Sequence, residues 1–173
     1  MAEIRTERLL LRKARASDLD AIHSVLSNPE ATTYWYEPPH LTLQQSRAWL
    51  ESMMGIGEHT GEDFIVAREG RVIGKAGFHA FPVIGFIFNP AVWGRGFARE
   101  ALAAVTQRAF ETHRLGFIDA DVDPRNEPAL RLLKSLNFRE IGRKERTWNV
   151  GGLWCDSIYL RLSEADGGTS IGG

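Results

Sequence analysis

The chain has 173 residues, which at roughly 150 residues per domain predicts one domain, and its 43% hydrophobic content is enough for one sizeable core. Its 21 lysines and arginines nearly balance 22 aspartates and glutamates, which excludes a generally basic nucleic-acid binder and a highly charged disordered chain. A single cysteine excludes an intramolecular disulfide and the metal sites that paired cysteines build, so we expect no metal.

The first part of the chain predicts one strand and two helices. Apolar residues flanked by arginines indicate a strand over residues 4–12. Ser17 is placed as the N-cap of a first helix, which Asn28-Pro29 ends. Thr42 and Gln45 form a capping box that opens a second helix.

Three short strands are predicted next, and the first two form a hairpin. Residues 64–68 and 72–79 flank Glu69-Gly70-Arg71, which is a turn signal. Residues 83–88 form a near-continuous apolar run, which is typical of a strand that is buried on both faces. This strand ends at Asn89-Pro90, because proline has no N–H to donate to a neighbouring strand.

The remaining elements alternate between helices and strands. Helical periodicity covers residues 97–113 and 126–136, and strands are predicted at 117–122, 138–148 and 153–162. The resulting order of elements predicts a mixed sheet with helices packed on it. We expect one domain over residues 1–163 and a glycine-rich, disordered tail over residues 164–173.

A strand, a glycine-bearing turn and a helix follow one another over residues 86–102. The first backbone N–H groups of a helix lack intrahelical acceptors and carry the positive end of its dipole. Gly94 and Gly96 keep side chains away from these donors, so the turn predicts a site for a diphosphate. The alternative is a turn that needs glycine for its backbone angles alone. The spacing disfavours dinucleotide and P-loop nucleotide sites.

This segment resembles the acyl-coenzyme A binding motif of the GNAT (GCN5-related) N-acetyltransferase superfamily, and the chain resembles its RimJ/RimL-type branch. The segments that carry the resemblance are residues 8–12 with 17–19, 94–101, 122–138, and 152–156. The resemblance implies an α/β (α+β) GNAT fold, with a single mixed, mostly antiparallel sheet whose splayed central strands are flanked by helices.

The resemblance also implies that acetyl-CoA lies in a V between strands 83–88 and 117–122. The backbone of Phe86, Ile87 and Phe88 would bind the pantetheine amides. The residues implied for the pyrophosphate are Trp93, Gly94, Arg95, Gly96, Phe97, Ala98 and Arg99. Those implied for the thiol arm or the outer end of the cofactor are Asn126, Ala129, Leu133 and Lys134.

Four positions depart from the family's pattern. Trp93 replaces the usual glutamine or arginine, and Val83 replaces a frequent glutamate. Leu133 stands where many members have a tyrosine that acts as general acid, and Ala129 replaces a serine. No residue therefore inherits the role of catalytic acid or base.

A thioester is already activated, so positioning and a backbone N–H donor at Phe88 for the oxyanion can supply much of the rate. The amine must still lose a proton, so we expect a base. The candidates are Glu37, His79 and Asp119, together with His40 and Asp121. For His79 a structural role is the alternative, and for the two aspartates an exposed or salt-bridged face.

An aromatic, proline-rich loop over residues 34–40 is the predicted acceptor-binding segment. Tyr34, Trp35 and Tyr36 would form a wall over the thioester end, together with Trp148 and Trp154 from the last hairpin. His40 of the same loop is a further candidate for contact with the acceptor. The alternative is that these aromatic residues only cap the core.

The resemblance implies an acetyl-CoA-dependent N-acetyltransferase that transfers the acetyl group directly to a primary amine, either a protein N-terminus or a small molecule. The alternative is a non-catalytic coenzyme A-binding module, which the missing tyrosine, serine and glutamate favour. We expect a cytoplasmic protein without nucleic-acid or membrane partners, because apolar runs are short and the first residues mix both charges. It would be a monomer or a homodimer.

Overall fold

The computed structural model describes residues 3–167, and all of its strands belong to one eight-stranded sheet. The strands are β1 (Ile4–Arg5), β2 (Leu10–Arg12), β3 (Glu62–Arg68), β4 (Arg71–Ala80), β5 (Val83–Phe88), β6 (Phe117–Val122), β7 (Arg139–Val150) and β8 (Leu153–Ser163). The helices are α1 (Leu19–Leu26), α2 (Leu43–Met54), α3 (Phe97–Glu111), α4 (Glu127–Ser135) and α5 (Glu164–Gly167).

The spatial order of the strands is β1-β2-β3-β4-β5-β6-β8-β7. Every neighbouring pair is antiparallel except β5 and β6, which run parallel. This arrangement confirms the predicted mixed, mostly antiparallel sheet with helices packed on it.

The two central strands diverge, as predicted. β5 and β6 share a single register pair, Val83 with Asp119, and the Asp119 N–H donates to Pro82 O at 3.0 Å. On the other side of β5 the Asn89 N–H donates to Ile73 O at 2.9 Å. Because backbone groups alternate in direction along an antiparallel strand, Phe86 and Phe88 turn their N–H and C=O groups away from β4 and toward the gap.

Each face of the sheet carries its own apolar cluster. On one face α3 and α4 contribute Leu102 and Leu133, which pack with side chains of β5 and β6. On the other face α1 and α2 contribute Ile22 and Leu50, which pack with Ile65 of β3. The gap between β5 and β6 is therefore flanked by helices on both faces.

Two local predictions near the N-terminus were wrong. The strand predicted over residues 4–12 is divided into β1 and β2 by a turn in which Thr6 N–H donates to Leu9 O at 3.0 Å. Ser17 does not cap α1, because it lies inside a 3-10 turn over residues 16–18. Asp18 accepts hydrogen bonds there from the Arg12 guanidinium, at 2.7 and 2.8 Å, and from the Arg15 N–H, at 2.8 Å.

The predicted capping box of α2 is confirmed. The Gln45 N–H donates to Thr42 Oγ1 at 3.3 Å, and the Thr42 N–H donates to Gln45 Oε1 at 3.0 Å. By contrast, β5 is not buried along its whole length, since Val83 is 47% exposed where the gap opens.

The end of the chain contains one short helix within the range predicted to be disordered. Residues 164–167 form α5, and Asp166 accepts a hydrogen bond from the Arg139 guanidinium at 3.2 Å. The rest of the predicted tail, residues 168–173, lies outside the described residues. Within residues 3–167 there is no helix that is both long enough and apolar enough to cross a membrane.

Candidate active site

The turn between β5 and α3 presents a row of backbone N–H groups to solvent. Gly94 and Gly96 have φ angles of 71° and 78°, which glycine adopts without strain, and Gly96 is the N-cap of α3. Within residues 3–167, no acceptor receives a hydrogen bond from the N–H groups of residues 94–99. A Cβ built at Gly94 would meet no atom within 4 Å. The turn can therefore receive a bulky anion.

Three arginines surround the first residue of α3. The guanidinium carbons of Arg8, Arg68 and Arg95 lie 4.6, 5.0 and 5.1 Å from the centre of the Phe97 ring. Arg8 is held by Glu100 at 2.6 Å, and it also donates to Arg95 O at 3.0 Å. Burial opposes ionisation of Glu100, but hydrogen bonds from Thr6 and Arg8 outweigh it and lower its pKa. The positive charge beside the free amides suits a diphosphate.

Trp93 ties the turn to β5. Its indole Nε1 donates to Phe88 O at 3.0 Å, while half of its ring is exposed. The indole thus fixes the position of the turn and leaves binding to the backbone donors that follow it.

A cleft of about 830 Å³ opens beside the gap between β5 and β6. Tyr34, Trp35, Tyr36 and Trp148, all predicted to bind the acceptor, line it. The ring centres of Trp35 and Tyr36 are 4.8 Å apart, and those of Tyr36 and Trp148 are 6.5 Å apart. These four residues form the aromatic wall of the cleft, whereas Trp154, also predicted to belong to the wall, lies outside its lining.

Hydrogen bonds hold the aromatic wall in place. Trp49 Nε1 donates to the Tyr36 hydroxyl at 2.8 Å, and Trp148 Nε1 donates to Asp121 Oδ2 at 2.9 Å. Burial raises the pKa of Tyr36 to about 12, although the Trp49 donor opposes this, so its phenol stays protonated at neutral pH. The sequence did not single out Trp49, which also lines the cleft.

Glu37 and His40 do not lie in the lining of the cleft. His40 is 7% exposed, its Nδ1 is 2.8 Å from Ser46 Oγ, and its Nε2 is 3.2 Å from Glu37 Oε1. Ser46 Oγ is also 2.8 Å from His23 Nδ1. This chain of contacts fastens the aromatic loop to α1 and α2, so these two residues support the wall from behind.

The other predicted bases separate into two groups. Asp119 is outside the lining, because Arg161 engages both of its oxygens at 2.7 and 2.8 Å. Asp121 and His79 do line the cleft. Asp121 holds Trp148, whereas His79 makes no side-chain hydrogen bond within the described part of the chain.

Only some of the residues predicted to contact the cofactor arm line the cleft. Asn126 caps α4 by accepting the Ala129 N–H at 3.2 Å, and both residues line the cleft. Leu133 has 0% exposure and is a core residue, so its side chain is not offered to a ligand. Lys134 is exposed but outside the lining. Of the β5 residues, Phe86 lines the cleft, while Ile87 and Phe88 are buried.

Sequence reasoning missed a buried ion pair in the cleft. Lys75 Nζ lies 2.8 Å from Asp63 Oδ2, and the two residues are 4% and 5% exposed. Both line the cleft. The sequence feature that could have revealed the pair is a lysine in the middle of an apolar strand, between Gly74 and Gly77. Asp63 was missed because the strand was predicted to begin one residue after it.

Comparison with known proteins gives three likenesses that each cover most of the chain. The family model described as "Acetyltransferase (GNAT) domain" matches residues 8–139. A Bacillus licheniformis protein named "Uncharacterized N-acetyltransferase p20" is 32% identical over 151 residues, which are 82% of this chain and 85% of that protein. The crystal structure of a GNAT-family acetyltransferase from Bacillus anthracis is 28% identical and has a TM-score of 0.84. The match covers 95% of this chain and 99% of that one.

A more distant structure shares the fold. Spermidine N-acetyltransferase from Vibrio cholerae, in complex with CoA and spermine, is 21% identical and has a TM-score of 0.80. The match covers 94% of this chain and 99% of that one.

Proposed function

Since the chain belongs to the GNAT acetyltransferase family, whose cosubstrate is acetyl-CoA, we propose that it transfers the acetyl group directly to a primary amine in the aromatic cleft. Membership of the family makes the chain an N-acetyltransferase. We propose in addition that the acceptor is a primary amine and that the acetyl group passes to it directly from the thioester. One observation carries it, namely the gap between β5 and β6, which joins the turn with free amides to the cleft. An amine in the cleft and a thioester in the gap would meet without an intermediate carrier.

The turn before α3 fits the pyrophosphate of coenzyme A. Its N–H groups over residues 94–99 are unoccupied by protein acceptors, and Arg8 and Arg95 add positive charge beside them. Asn126 and Ala129 would line the path of the pantetheine arm. Bound acetyl-CoA supplies an activated acetyl thioester.

For the oxyanion donor we propose the N–H of Phe86 in place of the N–H of Phe88. Both groups face the gap, but only Phe86 also lines the cleft where the aromatic wall stands. Phe88 lies two residues closer to the pyrophosphate turn, and its carbonyl already accepts the Trp93 indole. The N–H of Phe88 is therefore better placed to bind the pantetheine arm of the cofactor.

The charge of the cleft supports a protonated amine as the acceptor, either a small molecule or a protein N-terminus. Its lining contains more carboxylates than cations. The carboxylates are those of Asp63, Asp121, Asp123 and Asp156, and the cations are Lys75 and Arg125. A net negative cleft raises the local concentration of an ammonium ion. We place the reaction in the cytoplasm.

A binding and turnover experiment tests the proposal. Calorimetry should show that acetyl-CoA binds, and release of the coenzyme A thiol should depend on an added primary amine. Suitable acceptors are n-butylamine, alaninamide and spermidine. Acetyl-CoA binding without turnover on any amine would contradict the proposed transfer and favour the non-catalytic module.

A further inference from the structure

The buried ion pair lies on the face of the sheet that carries α1 and α2, at the edge of the gap. Asp63, Gly77 and Gly85 are register partners in a row across β3, β4 and β5. Lys75 stands two residues from Gly77 along β4, and its Nζ reaches both Asp63 Oδ2 at 2.8 Å and Gly85 O at 3.2 Å. The ammonium thus connects a carboxylate on β3 to the strand that borders the gap.

Two glycines leave the space that this pair occupies. A Cβ at Gly77 would lie 2.8 Å from Asp63 Oδ1, and a Cβ at Gly85 would lie 3.5 Å from Lys75 Nζ. A side chain at Gly77 would therefore press on Asp63, whereas a Cβ at Gly85 would only come into contact with the ammonium of Lys75. The two glycines therefore leave room for the charged groups of Asp63 and Lys75 at the floor of the cleft.

Asp63 has one oxygen without a partner. Its Oδ1 is buried and receives no hydrogen bond from the described residues, and the buried indole N–H of Trp35 donates none to them. Trp35 stands over the pair, with its ring centre 5.8 Å from Lys75 Nζ. A buried carboxylate oxygen without a donor is unfavourable, so a ligand that brings an N–H group would stabilise this site.

We propose that Asp63 and Lys75 form the subsite for the acceptor amine, which rests on the proposed function. Asp63 accepts a hydrogen bond from the ammonium group of the acceptor and then takes one of its protons. The oxygen that accepts is Oδ1, which has no partner among the described residues, since Oδ2 is already held by Lys75. Lys75 keeps the carboxylate in place through its bonds to Asp63 and Gly85, and is therefore a positioning residue.

The protons and bonds balance in the proposed step. Asp63 takes one proton from the ammonium, which leaves a neutral amine beside a neutral carboxyl group. The freed lone pair forms the bond from nitrogen to the acetyl carbon, and the bond from that carbon to sulfur breaks. A second proton from nitrogen goes to the sulfur, and Asp63 releases its own proton to water.

The test separates this role from a purely structural one. The variants are Asp63→Asn and the double variant Asp63→Leu with Lys75→Met, which removes both charges together. Apolar replacement of a buried ion pair is often tolerated, so the double variant should fold and bind acetyl-CoA. Glu62→Gln is the matched control, because Glu62 is the adjacent buried acid and its partners are Arg108 and His113.

The acceptors are n-butylamine, alaninamide and spermidine, and their binding to the protein saturated with coenzyme A is measured by calorimetry. We expect Asp63→Asn to lose about 10- to 100-fold in kcat/KM for the best amine, as for loss of a charged hydrogen bond. The double variant should lose amine binding, while acetyl-CoA affinity stays the same in both. Glu62→Gln should keep the amine kinetics of the unaltered protein.

Each other result overturns a defined part of the inference. Unchanged amine kinetics in the double variant would overturn the subsite and make the pair structural. A rise in KM with kcat unchanged would overturn the proton transfer. Binding of acetyl-CoA by the unaltered protein with no affinity for any of the three amines would also overturn the subsite. Failure to bind acetyl-CoA would instead contradict the proposed function.

Discussion

The cofactor half of the candidate site is built mainly from backbone groups, and the acceptor half is built from side chains. The half assigned to the cofactor consists of backbone N–H groups from one continuous turn, residues 94–99, and its geometry follows from two glycines and the start of α3. The acceptor half consists of side chains from five separate parts of the chain, and Asp63, Lys75, Trp35, Trp49 and Trp148 represent them. The first half depends on local conformation, and the second depends on tertiary packing.

This difference predicts which substitutions act on which substrate. A change that blocks the amides before α3 should affect acetyl-CoA and leave the amine pocket intact. A change in the aromatic wall should affect the amine and leave the amides intact. Glu62 belongs to neither half, because it lies outside the lining of the cleft and joins β3 to Arg108, near the end of α3, at 2.7 Å.

The largest effect is expected for Gly96→Val. The residue has a φ of 78°, which a β-branched side chain adopts only with strain of about 1–3 kcal/mol. Relief of that strain would turn the neighbouring amides away from the diphosphate. We expect acetyl-CoA affinity, measured by calorimetry, to fall on the order of 100-fold in a protein that still unfolds cooperatively, from this strain and the lost donors.

Gly142→Val is the control for this substitution. Gly142 lies in β7, and a Cβ there would meet no atom within 4 Å. Valine is favoured in strands, so this variant should bind acetyl-CoA normally. Equal affinities of the Gly96 and Gly142 variants would remove the turn from the cofactor site.

The same difference between local conformation and tertiary packing explains which features could be predicted from the sequence. The elements, their order and the glycine turn were predictable, because hydrophobic period and turn chemistry are local properties. The support role of His40 was not predictable, because its partner Ser46 comes from another element. For Asp119 a salt-bridged face was one of the alternatives, but its partner Arg161, from another strand, could not be named from the sequence. Asp63 belongs to the same group, since its role depends on Lys75 across the strand pair.

A second prediction concerns Glu62, which joins β3 to α3. Burial opposes ionisation of Glu62, but hydrogen bonds from Arg108 and His113 outweigh it and lower its pKa below the ordinary value of 4.5. The bonds therefore stabilise the fold above about pH 4.5, and this stabilisation is lost as the pH falls through the folded-state pKa. We expect Glu62→Gln to lower the free energy of unfolding at pH 7 by about 1–3 kcal/mol.

Urea denaturation at pH 7 and at pH 3.5 measures this effect. The difference between Glu62→Gln and the unaltered protein should shrink at the lower pH, because Glu62 of the unfolded chain takes up a proton below about pH 4.5 and the stabilisation falls as the pH approaches the lowered folded-state pKa. A difference that stays constant between the two pH values would mean that packing, and not the charge of Glu62, joins β3 to α3.

The smallest of these effects is expected for Trp35→Ala, and it acts on the acceptor half alone. Trp35 stacks on Tyr36 and covers Lys75, so its removal should raise the KM of the amine by about tenfold, the loss typical of a stacked aromatic contact. The KM of acetyl-CoA should change much less, because no amide of the turn depends on this ring. Trp154→Ala is the control, since that indole is half-exposed and outside the lining of the cleft. If Trp35→Ala raised the KM of acetyl-CoA more than that of the amine, the division of the site into a backbone half and a side-chain half would be wrong.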